Sequence, residues 1–189
     1  MAESTRLLTL PNLITTARAL LIPVIAYALA RRFFDVALVL FVLCAVGDLI
    51  DGMLARRWNQ RTRFGAIADP VADKLTMLTV TLVLAADGLL PSWLAALVIA
   101  RDVIIVFGAV AFHFLVHEFE MAPSRLSKLN TALEFGVLTA VLTDAAGIIE
   151  MSLWLGPAYA ALTGTILTSG LNYVWSWGRR AAKARDRAQ

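Results

Sequence analysis

Cysteine is almost missing: Cys44 is the single copy in 189 residues. An intrachain disulfide is excluded, and so is a zinc centre built on thiolates. Cys44 sits inside an apolar run, where a lone thiol reads as a small buried apolar residue. Histidine is scarce as well, with only His113 and His117. Charge is thin, at 16% of residues and a net +3, and no nucleic-acid partner is expected. The segments "DGLLP" (87–91) and "GIIEMS" (147–152) contain no Lys or Arg at all. No low-complexity linker, clear internal repeat or soluble domain interrupts the chain. A cleavable leader is not expected, because the first apolar run continues past Pro23 without a small-residue cleavage site.

What fills the chain is hydrocarbon. Apolar residues make up 59% of it and the mean hydropathy is +0.73, against about 45–50% apolar in a soluble domain. The excess is arranged in runs of roughly 20 residues, the length that spans a bilayer. Six such runs are predicted, at 13–30, 34–55, 66–87, 92–115, 128–147 and 152–176. The fold class expected is a six-helix, all-α polytopic membrane protein forming a single domain over 1–189, with a short interfacial helix over 1–10.

Basic residues collect in alternate connections: Arg56, Arg57, Arg61 and Arg63 after the second run, Arg125 and Lys128 after the fourth, and five in the tail from Arg179 to Arg187. Basic loops stay in the cytoplasm, so both termini are expected there. Arg31 and Arg32 fall on the opposite side and depart from the rule. The tail also suits anionic headgroups.

Against this background, "DLIDGMLARRWNQRTRFGAIADPVADK" (48–74) carries four aspartates and four arginines. Asp48, Asp51, Gly52 and Ala55 share one helical face, and Gly65, Asp69 and Asp73 share another. Folding the third run back on the second brings two carboxylate pairs face to face. Each Asp at membrane depth costs about 2.5–3.5 kcal/mol, and four together repel, so cations must lie among them. Carboxylates without His or Cys favour a hard ion, Mg²⁺ or Mn²⁺. Four can hold two such ions about 3.5–4 Å apart, an arrangement used for phosphoryl chemistry. Gly52, Ala55 and Gly65 leave room for a ligand against the backbone. Arg56 is placed to bind a phosphate oxygen. A pyrophosphate-bearing substrate follows. The alternatives for the aspartates are interhelical polar contacts or a carboxylate-lined cation transporter, and the transporter leaves the glycines and Arg56 unexplained.

The spacing Asp48-x-x-Asp51-Gly52-x-x-Ala55-Arg56, eight residues, Gly65-x-x-x-Asp69-x-x-x-Asp73 resembles the signature of the CDP-alcohol phosphotransferases at all eight defining positions. The resemblance implies that Asp48, Asp51, Asp69 and Asp73 ligate two Mg²⁺ or Mn²⁺ ions. It implies that Gly52, Ala55, Arg56 and Gly65 bind the CDP part of the donor, and that Asp73 is also the general base for the acceptor hydroxyl. It further implies a homodimer. Arg57, Arg61 and Arg63 read as topology charges.

Other segments bear on the substrates. "PNLITTAR" (11–18) resembles the family's opening segment near the nucleotide, which brings in Asn12 and Arg18; helix capping is the other reading of Asn12. Lys74 in "DPVADK" either contacts phosphate or snorkels. Arg101, far from the end of the fourth run, needs an anionic partner; its neighbour Asp102 is expected to point away.

Two relatives compete for the resemblance. Phosphatidylglycerophosphate synthases share "DPVADK" and the Arg-acid pair. They typically carry two further cations at the positions of Ala109 and Asn130. Cardiolipin synthases of the CDP-alcohol type resemble "RDV" at 101–103 and the "PS-x-L-SK-x-NTA" pattern at 123–132. A singly charged phosphodiester needs fewer cations than glycerol 3-phosphate. The expected donor is therefore CDP-diacylglycerol and the expected acceptor phosphatidylglycerol, with glycerol 3-phosphate as the alternative. The residues assigned to the acceptor are Arg101, Lys128, Asn130, Lys74 and Arg18. The location expected is the bacterial inner membrane with the site facing the cytoplasm. His113 and His117, spaced by four, read as an interfacial polar patch rather than a metal site. Trp154, Tyr159, Tyr173, Trp175 and Trp177 read as interface-belt aromatics.

Overall fold

The computed structural model describes residues 10–57, 63–116 and 125–186, with side chains described over 16–47, 71–106 and 126–170. The described residues form six helices and no strand: α1 (Leu10–Ala30), α2 (Phe34–Arg57), α3 (Arg63–Ala86), α4 (Ser92–Val116), α5 (Arg125–Ala145) and α6 (Ser152–Asp186). Each apolar run of the sequence becomes one helix. The expected helix over 1–10 lies outside the described residues except for Leu10, which opens α1. The main departure is α6, which continues ten residues beyond its expected end at 176. Arg, Ala and Lys are strong helix formers, so the backbone has no reason to stop where the apolar stretch does. Among the described residues, no helix is long and apolar enough to cross a membrane; α5, for example, carries Lys128, Glu134 and Asp144.

The chain divides into two compact units. In the first, residues 1–90 with 138–151, α1 packs against both α2 and α3, and α2 touches α3. Its core includes Ile25, Leu29, Phe41, Val80, Leu84, Leu138 and Leu142. On α3 the buried positions Ala72, Thr76, Val80 and Leu84 recur every four residues, as one helical face requires. In the second unit, residues 91–137 with 152–189, α4 packs on α6, and Leu94, Val98, Leu162 and Ile166 are buried. Cys44 is free and buried, as its setting in the sequence led one to expect.

Three helices end in the same way. The amide of Phe33 reaches the carbonyl of Ala28 at 2.8 Å and that of Arg32 reaches Leu29 at 2.8 Å. Leu89 to Leu84 (2.9 Å) with Gly88 to Ala85 (3.2 Å) repeats the pattern after α3, and Ile148 to Thr143 (3.2 Å) with Gly147 to Asp144 (3.0 Å) repeats it after α5. These are Schellman motifs, which pair carbonyls that a helix end leaves open and place one residue in the left-handed region. Gly88 (φ 74°) and Gly147 (φ 67°) fill that place in two of them, and Arg32 (φ 59°) in the third. Arg32 thus bears a steric cost that glycine avoids, while its neighbour Arg31 lies over the Tyr27 ring at 5.9 Å. After α5, the Asp144 carboxylate accepts the Met151 amide at 2.6 Å and closes the turn into α6.

A β-carbon at Gly88 or Gly147 meets nothing within 4 Å, so only backbone conformation opposes it. Gly147→Ala is expected to lower stability by about 1 kcal/mol, and Arg32→Gly to raise it by up to about 1 kcal/mol. Thermal unfolding of the two variants beside the parent checks both signs.

Candidate active site

The last turns of α2 carry Asp48, Asp51, Gly52, Ala55 and Arg56, and the first turns of α3 carry Gly65, Asp69 and Asp73. The two helices touch, and α1 packs on both. The backbone therefore places the two carboxylate ladders on neighbouring helices. Of these eight residues only Asp73 has a described side chain; the other seven side chains lie outside the described residues, as does that of Asn12.

Asp73 is ion-paired. Its Oδ1 accepts from Arg18 Nη2 of α1, and while Arg18 is buried the Asp73 side chain keeps 41% of its exposure. The aspartates call for cations to offset them, and for Asp73 the protein supplies a guanidinium of its own. The signal was present in the sequence, since a cation in the middle of an apolar helix needs an anion. Arg18, grouped by sequence with the acceptor residues, thus sits against the expected base. Lys74, next in the chain, is half-buried.

The second unit holds the other candidates. Arg101 of α4 is buried. Its Nη1 donates to Asp102 Oδ1 at 2.7 Å and its Nη2 donates to Ser127 Oγ of α5 at 2.8 Å. The pairing with Asp102 corrects the expectation that this neighbour points away. The Cβ vectors do diverge along the helix, but the four-bond arginine stem folds its planar head back to the carboxylate. Arg101 Nε is buried with no hydrogen-bond partner among the described residues. Lys128 is exposed.

Asn130 is 0% exposed. Its Oδ1 accepts the Thr165 hydroxyl of α6 at 3.0 Å, and its Nδ2 is buried without a hydrogen-bond partner among the described residues. Sequence reasoning passed over Ser127 as a partner and Thr165 entirely. Ser127 was visible as a polar position three residues before Asn130 on the same face; a threonine within an apolar run carries no comparable signal. His113 and His117 have side chains outside the described residues, and no group of three or more metal-binding side chains occurs among the described ones.

Comparison with known proteins follows the same lines. The family model for CDP-alcohol phosphatidyltransferase matches residues 8–167. A cardiolipin synthase (CMP-forming)/mitochondrial hydrolase fusion protein of Schizosaccharomyces pombe is 33% identical over 87% of this chain and 30% of its own length. A probable cardiolipin synthase (CMP-forming) of Drosophila melanogaster is 32% identical over 72% of this chain and 47% of its own. A CDP-diacylglycerol–glycerol-3-phosphate 3-phosphatidyltransferase of Yersinia pestis is 36% identical over 89% of this chain and 96% of its own. The chain spans less than half the length of the first two of these relatives. With a family match over most of its length and the eight-position signature on two touching helices, the chain belongs to the CDP-alcohol phosphatidyltransferase family.

Proposed function

We propose that the protein is an integral membrane phosphatidyltransferase. It transfers the phosphatidyl group of CDP-diacylglycerol to phosphatidylglycerol, giving cardiolipin and CMP. The observation that carries the reading is the complete carboxylate signature on the neighbouring ends of α2 and α3.

Membrane residence is supported by the apolar outer surface. On α3 Val71, Leu75, Leu78 and Leu82 are exposed. On α2 Val36, Val39, Leu43 and Val46 are exposed. Lipid accommodates such a surface, whereas water would penalise so large an apolar area. We place the enzyme in a bacterial inner membrane, as a homodimer with its site on the cytoplasmic side.

The donor set at the site is all carboxylate oxygen, which fits a hard divalent ion. Asp48, Asp51, Asp69 and Asp73 would hold two Mg²⁺ or Mn²⁺, which when bound supply charge neutralisation at the donor's pyrophosphate. Gly52, Ala55 and Gly65 admit the CDP moiety close to the backbone, and Arg56 pairs with a phosphate oxygen. Asn12 adds a polar contact to the nucleotide. Asp73 takes the proton from the acceptor hydroxyl, and Arg18 holds that carboxylate in place. The acceptor oxygen forms its bond to the phosphatidyl phosphorus as the bond from that phosphorus to the bridging oxygen breaks. The electron pair leaves with CMP. Arg101, with its guanidinium fixed by Asp102 and Ser127, binds the acceptor phosphate; Lys128 and Lys74 add positive charge.

Glycerol 3-phosphate as acceptor has one observation in its favour: the similarity to the Yersinia pestis protein extends over 96% of that protein's length. Against it stand Ala109 and Asn130, uncharged where a dianionic acceptor would call for cations.

Purified protein supplied with CDP-diacylglycerol, Mn²⁺ and, in parallel, phosphatidylglycerol or glycerol 3-phosphate is expected to release CMP and form cardiolipin, and to do neither after chelation. Phosphatidylglycerophosphate as the sole product would overturn the acceptor assignment. Divalent-ion binding without CMP release on any alcohol would favour a cation transporter instead. Asp73→Asn is expected to lower kcat by at least about a hundredfold while retaining CDP binding better than Asp48→Asn does. Isothermal titration with CDP beside turnover assays separates the two roles, and full activity in Asp73→Asn would remove it as the base.

A further inference from the structure

Three polar residues of α5, Ser127, Asn130 and Glu134, fall at i, i+3 and i+7 on one face. Two of them reach different helices. Ser127 Oγ accepts from Arg101 of α4 at 2.8 Å, and Asn130 Oδ1 accepts from Thr165 of α6 at 3.0 Å. Asn130 and Arg101 are both buried. The Thr165 hydroxyl also lies 2.9 Å from the Leu162 carbonyl of its own helix, the usual partner of a helical threonine. The single hydroxyl proton serves one acceptor at a time, so the reach across to Asn130 exchanges with the local bond.

The two contacts of α5 are geometrically tied. Ser127 and Asn130 are less than one turn apart on a rigid helix. A rotation of α5 by one residue, about 100°, would take both side chains off their partners together. A shift along the axis would do the same. Whatever holds Asn130 in register also sets where the Ser127 oxygen stands, and that oxygen is one of two atoms fixing the Arg101 fork.

We propose that Thr165 and Asn130 form a clasp between α6 and α5 that positions Ser127, and through it the Arg101 guanidinium, for the phosphate of the acceptor. Thr165 and Asn130 are thus positioning residues for acceptor recognition. The complete burial of Asn130 suits a clasp better than direct ligand contact. The inference rests on the assignment of Arg101 to the acceptor phosphate.

The test is a double-mutant cycle on the full chain in mixed micelles, with CDP-diacylglycerol, phosphatidylglycerol and Mn²⁺. Thr165→Val keeps the side chain's shape and removes the hydroxyl. It is expected to raise KM for phosphatidylglycerol about three- to tenfold, the scale of one lost hydrogen bond, with KM for CDP-diacylglycerol unchanged. Thr165→Ser is expected to restore the parent value. Ser127→Ala should give a similar rise, and Thr165→Val/Ser127→Ala should be no worse than Ser127→Ala alone, because both act through Arg101. If Thr165→Val does not fold, Asn130→Ser supplies the same cycle. An unchanged acceptor KM, an equal change for both substrates, or additive effects in the double variant would overturn the clasp. A parent enzyme that makes only phosphatidylglycerophosphate would instead overturn the acceptor assignment, and the cycle is then read with glycerol 3-phosphate.

Discussion

A guanidinium buried among apolar helices is tolerable only when an anion offsets its lost hydration. Arg18 of α1 meets that condition through Asp73 of α3, whose side chain keeps 41% of its exposure. The packing of the first unit is consistent with this one requirement. α1 contacts both helices that bear the signature, and its buried face runs from Arg18 through Ile25 to Ala28 and Leu29. The same helix thus supplies apolar contact at one end and a counter-charge at the other.

The second unit answers the same constraint differently. Arg101 is as buried as Arg18, but its partners are an adjacent aspartate and a serine from the next helix. One neutral hydroxyl and one carboxylate orient its guanidinium, whereas the Arg18 guanidinium meets the Asp73 carboxylate. In the proposed reaction Arg18 holds the base and Arg101 meets the acceptor phosphate.

Much of this was legible in the sequence, for reasons that can be traced residue by residue. The helices follow from six apolar runs because a run of about 20 such residues has few other conformations open to it. Two of the runs end at 87 and 147, beside or at the glycines that the structure shows in the left-handed conformation. The signature was legible because four aspartates spaced by three and four residues stand out in an otherwise apolar chain. Four features escaped. Arg32 stands at a left-handed position where glycine would be expected. Asp102 pairs with its own neighbour, because helical geometry constrains Cβ direction and not the end of a long side chain. The Thr165–Asn130 bond joins residues 35 apart in the chain, and no local pattern announces it. The length of α6 escaped for a simpler reason: apolar periodicity marks where a helix is buried, not where it ends.

The proposed reaction requires the four aspartates to form one divalent-metal site for a pyrophosphate. An experimental structure of the protein with CDP and Mn²⁺, with anomalous scattering used to locate the metal, tests that requirement most directly. Two manganese peaks within ligand distance of Asp48, Asp51, Asp69 and Asp73, about 3.5–4 Å apart and touching the CDP phosphates, are the predicted result. Manganese bound elsewhere, or CDP bound with no metal at these four residues, would contradict it.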